Sequence, residues 1–363
     1  MPAFGSSVPV GLAESGSARV SDPLPPNRGA EEDSLGALAG LVGPDLAACN
    51  RTIVERMASP VELIPRLAAH LVAAGGKRLR PLLTLAAARL CGYPDAATGG
   101  DGLRHVRLAA CVEFIHSATL LHDDVVDESQ LRRGLASANA VFGNQASVLV
   151  GDFLFARAFQ LMVADGSLRV LEILSRAAAT IAEGEVLQLA TQNDLDTSEA
   201  RYLDVVTGKT AALFAAACQV GAVVAGREPA AEEALAEYGL KLGIAFQLVD
   251  DALDYAADQA TLGKTVGDDF REGKTTLPVL LAYAAGDAAE RAFWQRTIAA
   301  GEQSEADLAQ AFRLIRAHRA IETTIARARE FAAAAKAALG LFPSSPLRQA
   351  MLDAADYAVR RAR

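Results

Sequence analysis

Along most of this chain the apolar positions recur three and four apart, the spacing of one helix face. The every-second-residue alternation of a half-buried strand is almost absent. Helical periodicity sets in near Ser34 and runs through Met57, and Ser59-Pro60 then has the form of an N-cap with proline at the first helical position. Further helices are expected over Pro81–Leu90, Leu103–Glu128, Ala146–Val163, Leu168–Ala190, Ser198–Ala225 and Ala230–Tyr255. Helix resumes at Leu277 and continues with short breaks to Arg363. Between these lie a glycine hinge at Gly75–Pro81, a loop at Gly92–Gly102, a polar connection at Ser129–Gly143 and a glycine-punctuated loop at Ala256–Pro278. A loop as long as the last is usually functional or disordered. Residues Met1 to Asp33 are rich in Gly, Ser and Pro and read as a disordered tail. No linker divides 34–363, so one large all-α domain is expected.

Two stretches interrupt the apolar pattern in the same way. Ile115 to Gly134 contains Asp123, Asp124 and Asp127 as D-D-x-x-D, followed by Arg132 and Arg133. Phe246 to Tyr255 repeats the spacing with Asp250, Asp251 and Asp254. At about 100° per residue, Asp123 and Asp127 point in nearly the same direction with Asp124 beside them. Like charges so placed repel unless a cation neutralises them. One such motif reads as a solvated acidic face. Two, each set among apolar neighbours such as Leu120, Leu121, Val125 and Val126, do not. Clustered carboxylate oxygens suit Mg²⁺, which typically shares its ligands with substrate phosphates. Facing helices would then form a cage for several ions and a polyphosphate.

Composition narrows the field. At 363 residues and 51% hydrophobic the chain supports a large core. A formal net charge of −9 argues against general nucleic-acid binding, though not against an anionic substrate held by metal and local cations. Cys49, Cys91, Cys111 and Cys218 are scattered in apolar contexts with no C-x-x-C, which suits free buried thiols in a reducing compartment. The first residues show no basic region followed by an apolar core, and the longest apolar run, Ala211 to Gly226, is short for a membrane span. A cytoplasmic protein is expected.

The cations complement the carboxylates. Lys77, Arg78 and Arg80 sit beside Gly75-Gly76, and Lys209, Lys264 and Lys274 lie near glycines. Singly each would be a solvated surface charge; clustered, they favour anion binding. Gly208 in Thr207–Thr210 costs a helix about 1 kcal/mol relative to alanine. It marks either a simple kink or an opening that turns a carbonyl or the Thr210 hydroxyl into a cavity. His116 projects close to the face of Asp123, whereas His122 lies off it. Gln247, one turn before Asp251, would need partners if buried. None of the three G-K-T runs has the upstream glycine of a P-loop, which argues against nucleotide hydrolysis.

GGKRLRP, HDDVVD with RRG, GKT, FQLVDDALDY and GDDFREGKTTLP stand in the order seen in the trans-prenyl diphosphate synthases. The stretch from Glu113 to Met162 closely resembles their octaprenyl-to-decaprenyl branch. The resemblance runs from about Ser34 to the C-terminus. It implies a helical bundle around a deep central cavity, usually a homodimer with at most peripheral membrane contact. It also implies that Asp123, Asp127, Asp250 and Asp254 hold Mg²⁺, three ions per site, against an allylic diphosphate, with Asp124 and Asp251 completing the catalytic motifs. Arg132, Lys209, Thr210, Gln247 and Lys264 are assigned to the allylic substrate, and Lys77, Arg80, His116 and Arg133 to isopentenyl diphosphate. A terpene cyclase shares the first motif but differs in the second, and a non-catalytic subunit of a heteromeric synthase would have lost aspartates or site cations.

A growing product must leave the aspartates through an apolar tunnel. Thr119, Val112 and Leu108 share the helical face of Asp123, and Ala118 beside Thr119 is also small. These positions are the candidate determinants of chain length. The loop at Ala256–Pro278 and the basic end, Arg360, Arg361 and Arg363, are candidates for closing the site.

Overall fold

The computed structural model describes residues 28–73, 76–94, 101–132, 134–256 and 267–361. Met1 to Asn27, and with them most of the expected tail, lie outside the described residues, as do Arg133 and Lys264. Among the described residues the chain is helical apart from one small hairpin.

The first periodic stretch is two helices, α1 (Arg28–Leu41) and α2 (Gly43–Arg56). Helix α1 therefore begins six residues before the expected start at Ser34, inside the stretch read as tail. The break falls at Val42 because Pro44 has no N–H and its ring clashes with the carbonyl four residues back. The expected helix start at Ser59-Pro60 is displaced. The Ser59 hydroxyl accepts from the N–H of Val61 at 3.2 Å, closing a local turn, and α3 runs over Leu63–Ala73.

Helix α4 (Leu79–Leu90) leads to α5 (Arg104–Val126), which carries the first aspartates. α5 packs against α2 and α4 and against three helices further along the chain, and most of its length is buried. A helix apolar on nearly all sides belongs in a core. It ends in a Schellman-type turn: Ser129 N–H reaches the Asp124 carbonyl at 2.9 Å, with Glu128 in the left-handed conformation (φ +50°). The polar connection after it holds the hairpin, β1 (Leu131–Arg132) and β2 (Leu135–Ala136), and the short α6 (Ala138–Phe142).

Next come α7 (Asn144–Asp165), α8 (Leu168–Thr191), and a bent rod made of α9 (Glu199–Val206), a π turn (Thr207–Ala211) and α10 (Ala212–Val224). α11 (Pro229–Ala256) carries the second aspartates. α12 (Asp268–Arg271) to α17 complete the fold, with α13 at Leu277–Ala285, α14 at Ala288–Trp294, α15 at Glu305–Ala317, α16 at Ala320–Ala338 and α17 at Pro346–Arg360. α11 supplies side chains to all three apolar clusters: Leu235, Tyr238 and Leu242 to the largest, Leu248 and Val249 to the second, Tyr255 to the third. The last helix packs against the first.

Candidate active site

The two aspartate helices line one cavity of about 900 Å³. α5 presents His116, Thr119, Asp123 and Asp127 to it, and α11 presents Gln247, Asp250, Asp251 and Asp254. Lys77 enters from the hinge before α4 and Arg80 from the first turn of α4, Arg132 from the hairpin, and Lys209 and Thr210 from the π turn. Residues spread from Lys77 to Asp254 thus meet at one space.

Lys209 owes its place to a glycine pair. A Cβ on Gly184 would lie 2.5 Å from the Lys209 nitrogen, and a Cβ on Gly208 would lie 2.8 Å from the Gly184 Cα. Only glycine on both sides lets α8 and the π turn approach so closely. The i→i+5 turn adds one residue and re-aims the side chains after it, and Lys209 Nζ meets Glu185 of α8 at 2.8 Å. Kink and opening are here the same feature.

The aspartates do not all behave alike. Asp123 and Asp127 line the cavity, but Asp124 does not: it is 1% exposed and takes the Arg132 guanidinium at 2.8 Å (Nε) and 2.5 Å (Nη2). It sits beside the two cavity-lining aspartates, because the hairpin folds Arg132 back across the end of α5. Asp251 is buried, with both oxygens taken: the Tyr202 hydroxyl donates at 2.5 Å and Gln247 Nε2 at 2.7 Å. Thr210 donates to Gln247 at 2.8 Å, so a chain of hydrogen bonds joins the π turn to the second motif. Asp127 meets Lys274 at 3.1 Å, and Asp250 meets Arg361 at 3.4 Å.

Ala118 and Val112 do not line the cavity; both are fully buried, as is Leu108. Ala118 lies about 100° round the helix from Thr119. Val112 shares the face but sits three turns down, where neighbouring helices fill the space. Arg361 reaches the cavity and Arg360 does not. The sequence reading missed Tyr202 and Tyr357, the polar stripe of α8 (Glu185, Gln188, Gln192), and Glu113, all of which line the cavity or pair at its edge. The signal was present for some: Tyr202 is two helical turns before Lys209, and Glu113 is a lone charge in an apolar run.

Burial dominates the electrostatics. It pushes the Asp123 carboxyl up to about 7, with Glu185 and Asp127 adding to the rise and Lys209 opposing it. Burial, helped by Asp269 and Asp250, pushes Asp251 up to about 7. Asp254 is raised to about 6 and Asp269 to about 8, again chiefly by burial. For Lys274 burial works against the charge, but Asp269, Asp127 and Glu272 outweigh it and raise its pKa. A raised carboxyl pKa means the folded state binds more protons between about pH 4 and 7 than the unfolded chain, so stability falls as pH rises through that window. The metal-free protein is expected to melt at a lower temperature at pH 7.5 than at pH 5.5. Asp123→Asn should narrow that gap; an identical gap in wild type and variant would refute this account of Asp123.

Carboxylates and cations thus face one another across one cavity. The family model for polyprenyl synthetase matches residues 61–315. The chain belongs to the polyprenyl synthetase family. The octaprenyl diphosphate synthase of Escherichia coli (strain K12) is 49% identical over 323 residues, covering 89% of this chain and 98% of that protein. The crystal structure of a polyprenyl synthase from Caulobacter crescentus CB15, complexed with calcium and isoprenyl diphosphate, is 55% identical with a TM-score of 0.86, covering 91% of this chain and 98% of that one. A decaprenyl diphosphate synthase from Rhodobacter capsulatus superposes with a TM-score of 0.84 at 53% identity, covering 91% and 99%. These isoprenyl synthase structures share the all-α architecture of this polyprenyl synthetase.

Among the described residues no three His, Cys, Asp or Glu side chains converge closely enough to hold a metal by themselves. The donor set still fits a hard cation. Asp123, Asp127, Asp250 and Asp254 offer only oxygens, and burial raises the carboxyl pKa of Asp123 and Asp254, disfavouring a charge that a cation would relieve. Substrate oxygens would supply the remaining ligands.

Proposed function

We propose that this polyprenyl synthetase joins isopentenyl diphosphate head-to-tail to an allylic diphosphate, repeatedly, to make a long all-trans polyprenyl diphosphate. One observation carries the reading: two aspartate clusters and a ring of cations face one cavity, in a chain nearly half identical to an octaprenyl diphosphate synthase. Incubation with farnesyl diphosphate, isopentenyl diphosphate and Mg²⁺ tests it. Chain length is read by chromatography after dephosphorylation. A cyclic hydrocarbon would point to a terpene cyclase, and no turnover to a non-catalytic subunit.

Mg²⁺ held by Asp123, Asp127, Asp250 and Asp254 would supply positive charge to the leaving diphosphate. Arg132 and Lys209 grip the same group and spread the charge that develops on it. Asp124 holds the Arg132 fork, and Tyr202 and Gln247 hold Asp251. Lys77, Arg80 and His116 orient isopentenyl diphosphate so that its double bond meets the allylic carbon. Phe214 and Phe246 line the cavity and keep water from the carbocation. The departing diphosphate takes the final proton, since the carboxylates are committed to metal or to neighbours. Arg133 and Lys264, assigned to the same substrates by resemblance, lie outside the described residues.

The two diphosphates should be separable by mutation. Lys77→Ala and Arg80→Ala each remove a charge-assisted contact, worth about 1.5–3 kcal/mol, or roughly 10- to 100-fold in affinity. KM for isopentenyl diphosphate should rise accordingly with KM for farnesyl diphosphate little changed. Equal losses for both would contradict the assignment.

A homodimer fits the outward apolar face of α7, where Val148, Leu149, Phe159 and Val163 are exposed. By length and composition α7 and the rod over Glu199–Val224 are each apolar enough to cross a membrane, but most of the rod lies inside the fold. The four buried free cysteines suit a cytoplasmic, reducing setting. Membrane contact is then peripheral, for release of an apolar product.

A further inference from the structure

The hinge before α4 is held in an unusual shape. Arg78 adopts the left-handed conformation (φ 47°, ψ 39°), which glycine takes freely and other residues do not. Such a conformation is strained for a residue with a Cβ and persists only where the surroundings impose it. The surroundings here are α5. The Arg78 guanidinium pairs with the Glu113 carboxylate, and both side chains are largely buried, at 19% and 10% exposed. One turn further along α5, His116 Nε2 lies 3.0 Å from Arg80 Nη1. α5 therefore grips the hinge on both sides of Leu79.

Glu113 lines the cavity proposed to receive a diphosphate. A bare carboxylate there would repel the ligand and would be costly to bury. Paired with Arg78 it does neither, but the pair as a whole also adds no net attraction. What it supplies is geometry.

We propose that Glu113 is a positioning residue for isopentenyl diphosphate: through Arg78 it holds the left-handed turn that aims Lys77 and Arg80 into the cavity. Lys77 is the exposed end of this arrangement. Its ammonium meets the Tyr357 hydroxyl and lies 4.6 Å from the centre of that ring, so its reach toward the ligand depends on where the turn places it. This inference rests on the function proposed above.

Glu113→Gln keeps the size of the side chain and removes its charge. Arg78→Lys keeps the charge and removes the planar fork. In steady-state assays with farnesyl diphosphate and Mg²⁺, each variant should raise KM for isopentenyl diphosphate at least tenfold. KM for farnesyl diphosphate and kcat at saturation should stay within about threefold. Unchanged KM for isopentenyl diphosphate in Arg78→Lys and in a folded Glu113→Gln overturns the inference. So does a parallel rise in both KM values together with a large fall in melting temperature, which is the mark of a merely structural pair. A wild-type protein that makes no prenyl product overturns the proposed function and this inference with it. A wild type that turns over while the variants keep their KM overturns this inference alone.

Discussion

Asp123→Ala is expected to lower kcat by roughly 10²-fold or more while leaving a folded protein. Asp123 lines the cavity from α5, and burial raises its carboxyl to about 7. In the metal-free fold it is thus a cost, and its removal relieves repulsion from Asp127 and Glu185. In the loaded enzyme the same carboxylate would hold the cation that meets charge on the leaving diphosphate. Loss of a transition-state charge stabiliser of this kind costs about 10²–10³ in kcat. Asp250→Ala on the opposite wall should behave alike, although there Arg361, at 3.4 Å, loses its partner. The measurements are kcat at saturating substrates and Mg²⁺, beside circular dichroism to confirm the fold. Near-normal turnover in both variants would exclude the cage.

Thr119→Phe is expected to shorten the product to a short prenyl diphosphate while the first condensation stays fast. Thr119 lines the cavity one turn below Asp123, and its hydroxyl bonds the His116 carbonyl of its own helix at 2.8 Å. The fold therefore asks little of that hydroxyl. A phenyl ring there would fill the space below the aspartates. The chromatographic profile of dephosphorylated products reports the outcome. A folded, active Thr119→Phe enzyme with the long product unchanged would show that the chain leaves by another route.

These two predictions differ in how directly they could be read before the fold was known. Asp123 needed only the repeated D-D-x-x-D and its apolar flanks. Thr119 needed the structure to separate it from Val112 and Leu108, which satisfied the same pattern. A helical wheel gives direction but not depth, and what lies opposite a face at each depth belongs to other helices. Val112 points almost the same way as Asp123 yet is closed in by the core.

Helix boundaries show the same division. Proline and glycine chemistry is local, so α4, α8 and α11 lie within a few residues of expectation. At Ser59 a competing local bond, from the Val61 N–H to the Ser59 hydroxyl, took the place of the expected cap. The glycine in Thr207–Thr210 was legible as a disturbance of the helix. Its cause, Gly184 on another helix, was not.

The sequence by itself determined the all-α class, the two aspartate motifs and the cations that accompany them. Each rests on residue type and on spacing within one helix, which short-range geometry carries. Only the tertiary structure decided which motif residues face the cavity. It turned Asp124 aside to hold Arg132, closed both oxygens of Asp251 with Tyr202 and Gln247, and brought Glu113 against Arg78. Those partners are 4 to 49 residues apart. Such pairings are set by which buried charges and hydroxyls must find partners once the helices pack, and a buried polar group takes whichever partner the packing brings within reach.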